Sequence, residues 1–395
     1  MIENADRRKG VLAAALLLAL LLVSVPPASA SIDLEESQSS IVATGDHLRV
    51  EISKAFPSIT FSDPNGDGEI HRLEFVRMIA FNSTNGGYYE RKGQQFSANL
   101  SDAVWQTSSG SSQLPGGGTL LTINMTAVLD FQPAKNATSG QQGYGGQGSG
   151  QGPAPTPISD AVRLTFTYRM ASRNMSYQFG GYQFTLKNDS EMKILIKIEM
   201  LASIPAGRLC IEQALIANNG ADYGGGYRLY DGTGVHEVDG SVNETSGGQP
   251  ITHQYTTRTQ IQQRIAYESS DGKESGFYDW VPLVERHDGG TVTNSTMDTS
   301  YGTDGSSLRL FCSFAMASTG TTIMVDPTIG TVISEIINYL ISHVVSIGIG
   351  ALVGSAILIT LLAYRRRGYA REDPSASTSL EENPFYVGEK MPPNK

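Results

Sequence analysis

Ala161-Val162-Arg163-Leu164-Thr165-Phe166-Thr167-Tyr168-Arg169-Met170 is the stretch that decides the fold. Its apolar residues at 162, 164, 166 and 168 alternate with Arg and Thr, and a period of two places each set on its own face of a strand. Working outward, Tyr177 to Leu186 and Met192 to Leu201 repeat the idea with short polar turns between, which reads as an antiparallel meander. Upstream, Leu48, Val50 and Ile52 alternate within His47 to Phe61, where Pro57 argues against a continuous helix; Leu121, Ile123, Met125 and Leu129 do the same within Leu120 to Phe131. Downstream, Tyr227 to Tyr230, Thr259 to Tyr267, Phe277 to Val284 and Ser307 to Met316 supply further strands, punctuated by Asp231-Gly232, Asp271-Gly272, Asp288-Gly289 and Asp304-Gly305. Ser31 to Asp46 reads as a loose polar leader, and Leu201 to Asn218 leaves room for one short helix. The expectation is a mainly β chain forming a β-sandwich-like region.

Residues 138–157, rich in Gly, Gln, Ser and Pro, have almost nothing to bury, cannot offset the entropy of ordering, and are expected to be disordered. They separate two domains or form a long loop inside one; similar strand patterns on both sides favour the loop.

Ile341 to Tyr364 holds 24 residues without Asp, Glu, Lys or Arg and is closed by Arg365, Arg366 and Arg367. As a helix it would be about 36 Å long, enough to cross a hydrocarbon core of about 30 Å with some tilt. A helix satisfies its own backbone, and the arginines keep its end in the cytoplasm. The expected location is therefore the plasma membrane, with one span (341–364), residues 31–340 outside and a short disordered tail (365–395) inside. The amino terminus agrees: Arg7, Arg8 and Lys9 precede an apolar run from Val11 to Val25, and Ala28-Ser29-Ala30 offers a cleavage site, so residues 1–30 read as a signal peptide. An uncleaved anchor, leaving two spans, is the alternative. Within the span Ser342, Ser346, Gly350 and Gly354 line one helix face every fourth residue, a pattern that suits a homodimer.

With 39 Asp and Glu against 29 Lys and Arg, a formal charge of -10, the chain is a poor partner for nucleic acid and is compatible with divalent cations. The outer region places Cys210 and Cys312 where oxidation is permitted, so one disulfide is expected, with two buried free thiols as the alternative. Eight Asn-x-Ser/Thr triplets, headed by Asn82, Asn99, Asn124, Asn136, Asn174, Asn188, Asn243 and Asn294, all precede the span and imply glycosylation.

One motif carries chemistry. Asp63-Pro64-Asn65-Gly66-Asp67-Gly68-Glu69-Ile70-His71-Arg72-Leu73-Glu74 resembles the twelve-residue calcium loop of the EF-hand family. The resemblance implies Ca²⁺ bound by the side chains of Asp63, Asn65, Asp67 and Glu74 and by the carbonyl of Glu69, with Gly68 at the sharp turn and His71 where a water often mediates. Leu73 to Ile79 then looks like the exiting helix of calmodulin-like proteins. The match covers fewer than 20 residues of 395, the entering segment holds Pro57, and no second loop is present to pair with it. Leu73, Phe75, Ile79 and Phe81 suit a strand as well, so the loop joins two strands in the alternative reading, and an Asn/Asp/Gly cluster is also what a solvated turn looks like. Calcium would there stiffen a turn.

Enzyme signatures are absent: no Gly-x-Ser-x-Gly, no His-Glu-x-x-His and no Gly-x-x-x-x-Gly-Lys occurs. Asn383-Pro384-Phe385-Tyr386 in the tail resembles the Asn-Pro-x-Tyr peptide read by adaptor domains. The expectation is a cell-surface glycoprotein, not an enzyme, that acts in binding, adhesion or envelope structure toward an extracellular ligand the sequence leaves unidentified. The alternative is a membrane-tethered extracellular hydrolase with structural calcium.

Overall fold

The alternation of the deciding stretch becomes a strand, Ile158–Ala171, with Val162, Leu164, Phe166, Tyr168 and Met170 buried and Arg163, Thr165, Thr167 and Arg169 on the opposite face. The structure is a computed structural model that describes residues 31–66, 68–83, 93–134, 155–188, 190–217, 227–231, 234–238, 263–268, 274–304 and 307–332. In chain order its strands are β1 (Asp33–Glu36), β2 (Ser40–Thr44), β3 (Arg49–Ser53), β4 (Ser58–Ser62), β5 (His71–Phe81), β6 (Gln94–Asn99), β7 (Gln106–Gln113) and β8 (Thr119–Pro133). Then follow β9 (Ile158–Ala171), β10 (Met175–Phe179), β11 (Tyr182–Leu186), β12 (Glu191–Met200), β13 (Arg208–Ala217), β14 (Tyr227–Asp231), β15 (Gly234–Val238) and β16 (Gln263–Glu268). The last are β17 (Glu274–Trp280), β18 (Leu283–Asp288), β19 (Thr291–Thr296), β20 (Asp298–Asp304), β21 (Ser307–Ala315), β22 (Thr322–Val325) and β23 (Thr328–Thr331). A single 3-10 turn, Leu100–Asp102, is the other regular element among the described residues.

The protein is thus mainly β, with one large antiparallel sheet of 21 strands and a separate two-stranded ribbon, β10–β11. The sheet has two tracts. In the first, β1 to β5 pair in sequence, and β13, β21 and β20 continue from the other edge of β5. In the second, β7, β8, β9 and β12 lie side by side; β12 then pairs with β22 through one half and β23 through the other. From β22 the pairing runs to β18 and β19, and from β23 to β17, β16, β14 and β15. Strand β6 pairs with both β5 and β8, which ties the tracts together.

Both tracts turn their apolar faces into one core: Phe61, Phe75, Leu215 and Leu310 from the first, Ile123, Phe166, Ile196 and Trp280 from the second. Contacts between them are direct. Phe75 and Phe166 have ring centroids 4.6 Å apart, Phe61 and Tyr267 5.6 Å, and Trp280 Nε1 donates to Thr299 Oγ1 at 3.3 Å.

Several sequence expectations are corrected. Residues 31–46 are no leader: β2 pairs with β3 and buries Ile41 and Ala43. The short helix expected between Leu201 and Asn218 is strand β13, paired on both edges by β5 and β21 and buried on both faces: Leu209, Ile211 and Leu215 enter the core, and Cys210 packs with Ile79, Phe81 and Phe311 on the other side. Tyr177 to Leu186 is not one strand but the β10–β11 hairpin, reversed at Gly180 and Gly181, whose φ values of 61° and 83° glycine accepts without a Cβ clash. Pro57 divides His47 to Phe61 into β3 and β4, and Pro282 divides Phe277 to Val284 into β17 and β18. The Asp288-Gly289 turn closes a hairpin in which Asp288 faces Thr291 across Gly289 and Gly290, both with positive φ.

The connection holding residues 138–157 joins β8 to β9, which pair from Leu120–Ala171 to Phe131–Ile158, so it links neighbouring strands of one sheet. Residues 138–154 themselves lie outside the described residues, as do the signal segment 1–30, the span 341–364 with Ser346, Gly350 and Gly354, and the tail 365–395. Among the described residues no helix is long and apolar enough to cross a membrane.

Candidate functional site

The twelve-residue loop begins where β4 ends. It connects β4 to β5, and Phe61 opposite His71 is the last pair of the ladder before it. Asp63 Oδ1 accepts the Asn65 N–H at 2.9 Å, an Asx turn, and Asn65 Nδ2 donates to the Asp46 carbonyl at 2.5 Å. Gly68 takes φ 83° and Glu69 is half-buried, while Asp67 lies outside the described residues. Glu74 is elsewhere. It faces Ser58, three residues along the ladder from the closing pair, which at about 3.3 Å per residue is about 10 Å from the mouth of the loop. Its carboxylate is held by Arg72 at 2.5 Å. Leu73 to Ile79, expected as an exiting helix, is β5, because a strand lets Leu73 and Phe75 enter the core while Arg72 and Glu74 stay outside. The structure therefore places Asp63 and Asn65 in the turn and Glu74 on β5 beside Arg72. Among the described residues no group of three or more His, Cys, Asp and Glu side chains is placed to hold a metal ion.

His71, the ninth loop position, turns inward. It is 1% exposed, with Tyr267 at 4.6 Å and Phe61 at 5.3 Å between ring centroids, and its Nε2 lies 3.1 Å from Ser275 Oγ. A Cβ on Gly276 would fall 2.6 Å from His71 Cδ2, so the glycine makes room for the ring.

The expected disulfide is not formed. Cys210 on β13 faces Ser313, and Cys312 on β21 faces Ile211, so the two cysteines are on adjacent strands but one residue out of register. Because side chains alternate, their Cβ vectors point to opposite faces and cannot be bridged. Cys312 enters the main core, whereas Cys210 packs with Ile79, Phe81 and Phe311 on the far face. Both thiols are free and buried, and burial raises both, Cys312 to about 12.

Of the triplet asparagines, Asn82, Asn99, Asn174, Asn188 and Asn294 are exposed. Asn124 is half-buried in the middle of β8, where its Oδ1 accepts from Thr167 Oγ1 at 2.9 Å. Asn136 and Asn243 lie outside the described residues.

A polar row that sequence reasoning missed crosses the second tract on the face turned away from the core. Register places Lys193 on β12 opposite Thr328 on β23, Thr328 opposite Asp279 on β17, and Asp279 opposite Arg264 on β16. Arg264 grips Asp279 with two nitrogens, Nε to Oδ1 at 2.7 Å and Nη2 to Oδ2 at 2.8 Å, and its guanidinium lies 4.0 Å from the Phe277 ring centre. Lys193 Nζ contacts the Asp326 carboxylate and donates to the Asp326 carbonyl at 3.0 Å, to Thr328 Oγ1 at 3.5 Å and to the Tyr177 hydroxyl at 2.9 Å.

Charged groups on an outer face ordinarily meet water, but Lys193, Asp326 and Asp279 are buried, and Tyr177 of the β10–β11 ribbon lies over Lys193, whereas Arg264 at the end of the row stays 34% exposed. Tyr177 and Phe184 stack at 5.5 Å, and Phe179 packs on Val281 with Leu283 and Met324 around it. The hairpin tip is clamped by β18 and β19: the Gly180 N–H donates to Glu285 Oε1 at 2.7 Å, and the Gly180 carbonyl accepts from Asn294 Nδ2 at 2.9 Å. Burial leaves Asp279 and Asp326 each 3% exposed and raises both carboxyls to about 6 against the pull of their cationic partners. The same burial lowers Lys193 to about 8. Only the Asp326-Pro327 dipeptide, a turn signal ahead of the last strand, marks the row in the sequence.

Comparison with known proteins gives no family model that matches the chain and no curated protein that matches it.

Proposed function

We propose that the chain is a single-pass cell-surface glycoprotein whose outer region is a β-sandwich, working in binding, adhesion or envelope structure. The observation that carries this reading is the uncharged stretch Ile341 to Tyr364 with Arg365, Arg366 and Arg367 behind it, preceded by every glycosylation triplet in the chain. Five of the six described triplet asparagines are exposed, which is where a sugar can be carried. The sandwich rests on the ring contacts across the two tracts, Phe75 on Phe166 and Phe61 on Tyr267, since two sheets packed face to face interdigitate in this way. Small residues at Ser346, Gly350 and Gly354 suit pairing of two copies through the span. Calcium at Asp63, Asn65, Asp67, Glu69 and Glu74 rests on the sequence resemblance alone, with Glu74 paired to Arg72 on β5.

Protease added to intact cells tests the topology. The expected result is loss of an epitope placed between residues 31 and 340 with the tail after Arg367 protected, and a glycosidase should increase the mobility of the undigested protein. Digestion of the tail with the outer region spared would overturn the reading.

A further inference from the structure

An ion pair buried away from water is costly, and two kinds of arrangement relieve the cost: added hydrogen bonds, or loss of the charges altogether. Lys193 and Asp326 have side chains 6% and 3% exposed, and the Lys193 ammonium touches Asp326 Oδ2, which places Cγ, the atom bonded to that oxygen, beside the nitrogen. The nitrogen is also held by the Asp326 carbonyl, the Thr328 hydroxyl and the Tyr177 hydroxyl. We propose that Lys193 Nζ and Asp326 Cγ condense into an isopeptide bond, a covalent cross-link between β12 and the turn from β22 to β23.

The step balances within the pair. The lysine ammonium passes a proton to the carboxylate, giving an amine and a carboxylic acid, the forms that a dry site favours. The nitrogen lone pair adds to Cγ, forming the N–C bond. The C–O bond to the hydroxyl then breaks, and that hydroxyl leaves as water with the second proton shed by nitrogen. No oxidant or cofactor enters, and no electrons are transferred to or from the pair. Holding the two groups in contact replaces an encounter in solution by an intramolecular reaction, and a desolvated lysine is the more reactive nucleophile.

The surroundings suit the step. Asp279 and Glu191 are the other acidic groups acting on Lys193, while Glu285 and Arg169 act on Asp326 with opposite sign. Burial moves the two reacting groups toward their neutral forms, Lys193 downward and Asp326 upward. Tyr177 is a positioning residue: its ring centre is 4.2 Å from Nζ, and the ribbon that carries it keeps water from the product. The ladder already fixes the spacing, since the Ile194 N–H donates to the Pro327 carbonyl at 2.8 Å beside the reacting pair. The inference needs the fold alone and does not depend on which side of a membrane the region occupies.

Peptide mapping of the purified full-length protein, deglycosylated and denatured, tests it. In the parent protein trypsin should fail to cut after Lys193, and the peptide holding Lys193 should be joined to the peptide holding Asp326, their combined mass lower by one water. In Lys193→Arg and in Asp326→Ala the branched peptide should be missing and the remaining peptides linear. Cleavage after Lys193 in the parent together with a linear Asp326 peptide would overturn the proposal and leave a salt bridge; because the parent protein decides the outcome, a variant that fails to fold does not obscure it.

Discussion

Replacing Phe166 by alanine should lower the free energy of unfolding by about 3–5 kcal/mol, the range for removing a fully buried aromatic ring from a packed core. The ring is fully buried and sits where the two tracts meet, with Phe75 at 4.6 Å, Trp105 at 5.7 Å and Tyr168 at 6.1 Å between centroids. Strands β8 and β12 flank it in the ladder, so no neighbouring backbone can move in to fill the space. Urea denaturation followed by tryptophan fluorescence measures the loss, because Trp105 and Trp280 both report on the core. Thr293→Ala on the exposed edge strand β19 is the control, and it should stay within about 0.5 kcal/mol of the parent. Equal effects from the two substitutions would mean that Phe166 is not between the tracts.

Asp279→Ala should cost roughly 1.5–3 kcal/mol, because it takes the bidentate partner from Arg264, whose side chain is 34% exposed and keeps part of its hydration. Asp279→Asn is the more informative change. Burial holds the Asp279 carboxyl at about 6, above its ordinary value of 3.8. Between these values the folded chain keeps a proton that the unfolded chain has released. The stability from this group is therefore fully present below about pH 4 and is lost as the pH rises through about 6. A shift of about two units corresponds to about 3 kcal/mol. The difference in unfolding free energy between parent and Asp279→Asn should accordingly change across pH 4 to 7 in favour of the parent at the acid end. Parallel profiles for the two proteins would show that Asp279 is not desolvated.

Strands with one buried face were legible in the sequence. Phe166 and its neighbours in β9, like Ile123 in β8 and Ile196 in β12, alternate cleanly because water lies on one side and the core on the other. Strand β13 was not legible, since Leu209 to Leu215 is buried on both faces and the alternation that marks a strand disappears. The place of Glu74 in the fold was not legible either. Spacing along the chain put it in a ligand set, whereas the register of β5 against β4 moved it down the ladder. Nor could Lys193, Asp279 and Asp326 be seen together: each occupies an outward position that reads as a solvated face, and only strand pairing and the β10–β11 ribbon make them a buried row. The cysteines show the same limit, because one residue of register separates a bridge from two inert thiols.

Strand β23, at the end of the described region, has a mechanical consequence. It is short, Thr328 to Thr331, but is paired on both edges, with β12 and with β17, and Thr331 Oγ1 also donates to the His47 carbonyl at 2.6 Å. A pull on the chain beyond Thr331 would run along the strand and load both ladders in shear, so their hydrogen bonds would have to fail together. A strand on an edge would peel open one bond at a time. Whatever tethers the carboxyl end, the region is gripped from its middle.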